Sequence, residues 1–454
     1  MGSLEGAVSA DGRYVAFSSS ATNLVTDDTN FSENVFLRDT QTGTTILISE
    51  NVTGTGGGNG SSSAPQISAD GQHVLFSSAA DNLTANTGVA GINFYWRDVN
   101  AGATYLIPSD FAVMTPDGSN VLSVVYGSSF VGEPGPDMAL WNAQTHSATT
   151  VISTGSGETA PTITEAVISP DAHWAAFQAG NSEANPELPV LNVYAADLVG
   201  KSNWLLAAYS PTSQNVFQFS GDSRWLAYVA EFRNTNQIYL YDFQTGNKTL
   251  VSQSYNSTNA GNGPSDSPAI SADGALLAYR SAATNLVPND DNGVPDVFLY
   301  NRLTGGTTIV SSSSYGAFSA NGESLSPVFS ADGQTLLFES WASDLAFGDF
   351  NESMDVFALS LPADGAASST NGTPTLGITR LATGVVNGNF STNQTLTLTW
   401  PSVVGVGYQV QYKNDLNDPE WLPLGGTATV VGSQGSIIDL SPSATQRFYR
   451  ILSY

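Results

Sequence analysis

Short runs in which apolar residues alternate with polar ones recur along the chain, as in "RYVAFSS" (13–19), "QHVLFSS" (72–78), "RWLAYVA" (224–230) and "TLLFES" (335–340). Alternation at a period of two sends successive side chains to opposite faces and predicts β-strands of about five residues. Downstream of such runs, after a longer polar loop, comes a second set: "NVFLRD" (34–39), "NFYWRD" (93–98), "QIYLYD" (237–242) and "DVFLYN" (296–301). A third set, "TTILIS" (44–49), "KTLVSQ" (248–253) and "TTIVSS" (307–312), follows the tight turns "TQTG", "FQTG" and "LTGG". Short strands such as "APQI" (64–67), "SPAI" (267–270) and "SPVF" (326–329) lead into the first set through a "SADG" turn. There Gly accepts a positive φ and Asp bonds back to its own backbone.

That turn marks a repeat. It recurs, with variants "TPDG", "SPDA" and "SGDS", at Ser9, Ser68, Thr115, Ser169, Ser220, Ser271 and Ser330, at spacings of 59, 47, 54, 51, 51 and 59 residues. Seven units of four antiparallel strands at such a period predict a seven-bladed β-propeller. Past Leu361 the style changes through a small polar stretch, "PADGAASSTNGTP" (362–374). The expected organisation is all-β: a propeller over 1–361, a linker over 362–374 and a small β-sandwich over 375–454. Blade 7 shows three clear strands, and its fourth is expected from residues before Gly6 or from the linker.

Composition agrees with strands and turns. Only 12% of residues are charged, 41% are hydrophobic and 44 are glycine, a mix that does not suit long helices. There is no cysteine, which excludes disulfides, thiolate metal sites and a cysteine nucleophile. Forty acids against 13 bases give a net charge of −27. Residues 372–454 carry four of each sign, so the excess lies before them. Such a field repels nucleic acid, anionic membranes and polyanionic sugars. No run of about 18 apolar residues offers a membrane span. Met1-Gly2-Ser3 reads as an expression start, and the protein is expected in the periplasm, at the cell surface or outside the cell, its signal peptide removed.

The "SPDG"-like turn, the apolar strand behind it and the later "D-[VI]-[FY]-x-x-D" strand resemble the TolB-type propeller repeat. The resemblance covers residues 4–361 and is strongest in blades 1, 2, 6 and 7. Blade 3 departs from it with Ser123 where other blades place Phe or Tyr, and blade 4 with "SPDAHW". It implies a fold and leaves activity open, since propellers host lyases, hydrolases, peptidase gates and binders. The stretch "LTLTWPSVVGVGYQVQYKNDLNDPEWLPLG" and the terminal "RFYRILSY" resemble a fibronectin type III or immunoglobulin-like sandwich. Trp400, Tyr408, Tyr412 and Phe448 are its core candidates. A spacer role is expected of it, with sugar binding at Trp421 the less favoured alternative.

In each blade the connections between first and second strands (A–B) and third and fourth (C–D) are tight. The B–C and D–A connections are long, as in "QAGNSEANPELPVLN" (178–192). Long loops on a rigid scaffold carry function, so a ligand is expected on the B–C/D–A face. His73, His146 and His173 fall instead on the tight rim, in three different blades. With only Lys201, Lys248 and Lys413 as lysines, a uronate lyase lacks its cationic groove. Sialidase Asp-boxes need a spacer that "SADGQTLLF" lacks, and no G-x-S-x-G elbow supports a serine hydrolase. Glu183, Glu187, Glu231, Glu339 and Asp344 could serve a glycoside hydrolase, yet nothing in their spacing pairs them.

One carboxylate pattern does repeat. Blade 1 has Asp28, Asn30 and Asn34; blade 6 has Asp290, Asn292 and Asp296; blade 7 has Asp349, Asn351 and Asp355. Oxygen ligands at i, i+2 and i+6 in a Gly/Ser-containing loop suit a structural Ca²⁺. The same residues also suit Asx turns that satisfy loop N–H groups. With no catalytic residues assigned, the expected function is a non-enzymatic binding protein that presents an acidic, loop-rich face to a glycan or protein partner. A carbohydrate-active enzyme, lyase or glycoside hydrolase, working in the central pocket is the alternative.

Overall fold

A computed structural model describes residues 3–26, 31–85, 91–125, 137–153, 162–181, 190–210, 216–314, 318–346, 353–361, 378–381, 396–401, 408–413, 422–425, 429–431, 434–439 and 448–453. Every regular element among them is a β-strand. No helix there is long and apolar enough to cross a membrane.

Seven four-stranded antiparallel sheets follow one another along 3–47, 62–107, 111–153, 162–210, 217–250, 265–309 and 324–381. Each sheet keeps its strands in sequence order, A to D. This is the seven-bladed β-propeller that the repeat predicts. Hydrophobic clusters run from blade to blade: Leu75 and Trp96 of blade 2 pack with Val121 and Trp141 of blade 3, and Val297 and Leu299 of blade 6 with Phe338 and Phe357 of blade 7. A blade thus buries both faces of its inner strands, which explains why B and C strands read as nearly unbroken apolar runs.

The repeated aromatic of strand B faces one on strand C. Phe17 stacks on Phe36, Phe76 on Tyr95, Phe177 on Tyr194, Tyr228 on Tyr239, Tyr279 on Phe298 and Phe338 on Phe357, with centroids 5.3–5.8 Å apart. Stacked pairs of this kind add about 0.5–1.5 kcal/mol beyond burial. Blade 3 has Ser123 opposite Ala139 in that register, and the Ser123 hydroxyl donates to the Ala139 carbonyl instead (3.1 Å).

The anchor turn is a closed hydrogen-bond unit. In all seven blades the Ser or Thr hydroxyl donates to the Asp two residues on at 2.5–2.6 Å. In blade 1 Ser9 Oγ also accepts the Tyr14 N–H (2.9 Å), and Asp11 accepts that of Arg13 (3.0 Å). The turn needs a left-handed residue, and where blades 4 and 5 lack glycine, Ala172 (φ 57°) and Ser223 (φ 62°) take that conformation.

The seventh blade takes its outer strand from Ile378–Leu381, which pairs with Asp355–Ser360 (Phe357 opposite Arg380). The first compact unit therefore ends at Leu381 and not at Leu361, and the second runs over 382–454. The strand Ile378–Leu381, expected in the sandwich, belongs to the propeller. The second unit holds two three-stranded sheets, with Val410 and Ile437 buried and Tyr412 half-buried. The side chains of Trp400, Tyr408, Trp421 and Phe448 lie outside what is described.

Ion pairs tie the tight rim together. Arg13 reaches Asp39 (2.7 Å) in blade 1, and Arg224 grips Asp242 with two bonds of 2.9 and 2.8 Å in blade 5. The Arg13 guanidinium, ahead of neighbouring backbone N–H groups, holds Asp39 well below the usual carboxylate range. Arg224 likewise lowers the Asp242 carboxyl from 3.8 to about 2. A depressed folded pKa gives stability that is complete above 3.8 and is lost as pH falls through about 2. With Arg224 partly in solvent, that amounts to about 1–2 kcal/mol. Asp242→Asn is expected to flatten the acid limb of stability between those pH values, as urea midpoints across pH will show.

Candidate functional site

The B–C and D–A connections meet on the face opposite the tight turns, and they are fastened to one another. Asn59, on the connection entering blade 2, donates through Nδ2 to Asp81 (2.6 Å) and accepts the Asp81 N–H (3.0 Å). Its own N–H goes to Asn82 Oδ1 (2.9 Å). Asn262 repeats this with Thr284 and Asn285, and Asn321 with Ser343 and Asp344. A second backbone bond closes each clasp: Val52 N–H to Asn82 O, Tyr255 N–H to Asn285 O and Ser314 N–H to Asp344 O, at 2.8–3.0 Å. Glycine is required beside the clasp. A Cβ on Gly263 would stand 2.5 Å from the Ala282 carbonyl oxygen. The "N-G" pair before each A strand is the sequence signal for this device.

These loops carry exposed aromatics. Tyr255 is 55% exposed, Trp341 51% and Phe318 43%. Trp341 starts the B–C loop of blade 7, with its N–H held by the Glu323 carbonyl (2.9 Å). Aligned by repeat, "FSSSATNL", "FSSAADNL", "YRSAATNL" and "FESWASDL" place Ser20, Ala79, Ala282 and Trp341 at one position. Three blades keep it small and one fills it with tryptophan. The repeat alignment alone marks this residue, which a pattern of titratable groups does not reveal.

The carboxylate pattern is resolved best in blade 6. Asp28, Asn30, Asp349 and Asn351 lie outside the described residues. Asn34 and Asp355 are buried at the start of strand C in blades 1 and 7. Asn34 accepts the Ser49 hydroxyl (2.9 Å), and Ser49 Oγ accepts the Val35 N–H (3.0 Å). Gln237 with Ser252 makes the same tie in blade 5, and Asp296 with Ser311 in blade 6. This last position is thus a strand C to strand D fastening. Asn292 accepts the Val294 N–H through Oδ1 (3.0 Å), an Asx turn, while Nδ2 donates to Asp296 Oδ2 (2.8 Å) and to the Ala320 carbonyl. Expected as an oxygen ligand, Asn292 turns its amide nitrogen toward the carboxylate and orients it. Among the described residues no group of three or more His, Cys, Asp or Glu converges as a metal cluster would. Burial, together with the nearby Asp290 charge, raises Asp296 to about 7 against the bonds from Ser311 and Asn292. Burial raises Asp290 as well.

Other candidates separate. Glu231 belongs to blade 5 and Glu339 and Asp344 to blade 7, where Asp344 is part of a clasp. Glu183 and Glu187 lie outside the described residues. On the tight rim His73 stacks on Trp96, His146 on Tyr105 and His173 on Trp174, at 4.8, 3.9 and 4.2 Å.

No protein-family model matches the chain, and no curated protein matches it in sequence. Among solved structures it is similar to one of a pair of prolyl endopeptidases, at 12% identity and TM-score 0.50, over 90% of this chain and 54% of that one. It is similar to an oligogalacturonate lyase in complex with manganese, at 14% identity and TM-score 0.44, over 80% and 89%. TolB from Acinetobacter baumannii shares 15% identity at TM-score 0.33, over 80% and 82%. What this chain has in common with them is the β-propeller fold.

Proposed function

We propose that the protein is a non-enzymatic binding protein whose B–C/D–A face takes a neutral glycan. The observation that carries this reading is Trp341, an exposed indole at a repeat position kept small in three other blades. Its backbone is pinned by the Glu323 carbonyl, as that of Tyr255 is by Asn285. Aromatic rings on a fixed backbone offer flat contact area at low conformational cost, the requirement for stacking on sugar rings. A net charge of −27 selects against uronate-rich or sulfated polymers. The unit over 382–454, which we read as a fibronectin type III or immunoglobulin-like module, acts as a spacer, and the whole is an exported protein.

Calorimetric titration of the full-length protein with neutral oligosaccharides, such as glucan, xylan and mannan fragments, tests the reading. Trp341→Ala is expected to weaken binding at least about tenfold with an unchanged melting temperature, and no reducing ends should appear during prolonged incubation. Flat titrations with every neutral glycan, or equal affinity in the variant, would overturn it. Release of reducing ends would favour the hydrolase alternative.

A further inference from the structure

We propose that blade 6 holds one hard divalent cation of the calcium class between Asp290 and Asp296. Three other blades show that charge is unnecessary there for folding alone. At the start of strand C, blades 1, 2 and 5 place the neutral amides Asn34, Asn93 and Gln237, all buried. Asn34 and Gln237 accept the same serine hydroxyl that Asp296 accepts. Blade 6 has a carboxylate there, as blades 3 and 7 do with Asp137 and Asp355, and adds a second, Asp290, beside it. Asp296 is fully buried and Asp290 is 7% exposed. Neither forms an ion pair with Lys, Arg or His among the described residues.

The second observation is an orphaned atom. Asp290 Oδ1 is shut off from solvent and has no hydrogen-bond partner. Desolvating a carboxylate oxygen without a partner costs several kcal/mol, and a bound cation removes that cost. Neutral oxygens stand ready around the pair. The Ser311 hydroxyl lies 2.6 Å from Asp296 Oδ1, and the Ser319 hydroxyl bonds Asp290. Asn292 locks the Asp296 carboxylate through Oδ2, in the manner of a second-layer group that orients a ligand. Two carboxylates with hydroxyl, carbonyl and water oxygens make up the six to eight ligands that Ca²⁺ accepts, while Mg²⁺ demands a stricter octahedron. The site would fasten the blade 6 B–C loop to the connection entering blade 7, where Asn292 N–H already meets Ser319 Oγ (3.3 Å).

The test is a calcium count. Protein freed of metal by chelator and dialysed is titrated with CaCl₂, with MgCl₂ and with NaCl of equal ionic strength, and native mass spectrometry reads bound ions per chain. Asp296→Asn restores the neutral amide of blades 1 and 2, and Asp290→Asn keeps the shape of the side chain while removing its charge, so both should fold. Each is expected to bind one calcium fewer than the parent and to lose a calcium-specific rise of a few degrees in melting temperature. Unchanged stoichiometry in both variants would overturn the assignment, as would a parent protein that responds to calcium no more than to matched NaCl.

Discussion

A chain cut after Leu381 is expected to melt as the propeller does in the full-length protein, whereas a chain cut after Leu361 is expected to lose much of its stability and to aggregate. The difference is one strand. Ile378–Leu381 makes four residue pairs with Asp355–Ser360. Its removal costs about 4 kcal/mol at about 1 kcal/mol per backbone hydrogen bond. It also leaves the last blade with a bare edge, a template for pairing with another chain. Net stabilities of 5–15 kcal/mol make such a loss decisive. Calorimetry and light scattering on the two truncations provide the measurement, and equal melting temperatures would show that the outer strand contributes nothing.

The second large effect concerns two glycines at equivalent places. Gly274→Ala is expected to cost about 2–5 kcal/mol, and Gly12→Ala about 1–2. Both residues have positive φ, 65° and 72°, so each alanine bears the left-handed penalty of about 1–2 kcal/mol. At Gly12 nothing lies within 4 Å of the new Cβ. At Gly274 it would stand 2.3 Å from Cδ1 of Trp225, on the neighbouring blade. That indole cannot swing aside, because the Arg224 and Arg302 guanidinium groups lie 4.7 and 4.1 Å from its ring. Overpacking of this kind adds about 1–3 kcal/mol. Urea midpoints at constant m-value separate the two variants, and equal costs would mean that the interblade contact is soft.

How much was legible in the residues follows from what each signal depends on. Blade number and strand order could be read because the anchor turn and the B/C aromatics are local patterns repeated seven times or nearly so. The outer strand of blade 7 could not, because "ITRL" (378–381) has too few residues to show a period and stands behind a polar stretch. The rim pairs Arg13–Asp39 and Arg224–Asp242 span 26 and 18 residues, and only the finished hairpins bring them together. Repeat alignment picked out Asp290, Asn292 and Asp296. Which of them offers oxygen and which offers N–H depends on a side-chain rotation that spacing does not encode, and the solitary Oδ1 of Asp290 is a fact of packing. Trp341 is legible only as a departure from the small residues Ser20, Ala79 and Ala282 at its repeat position, since an indole carries no charge or titratable group to mark it.

Every blade is made from one uninterrupted length of chain, in the order in which it is synthesised, so that among the described residues no strand is lent from the last blade to the first. A ring built this way can change its number of blades when one whole repeat is duplicated or lost, without rewiring either end. A ring stitched by a borrowed strand must preserve both of its ends through every such event. The Asn59, Asn262 and Asn321 clasps set the natural cut for that exchange. Each joins a D–A connection to the loop of the following blade, so a unit that begins just after one C–D turn and ends at the next carries an intact clasp with it. Recombination at the tight rim, rather than among the long loops, would therefore yield rings of new circumference that keep their binding face in order.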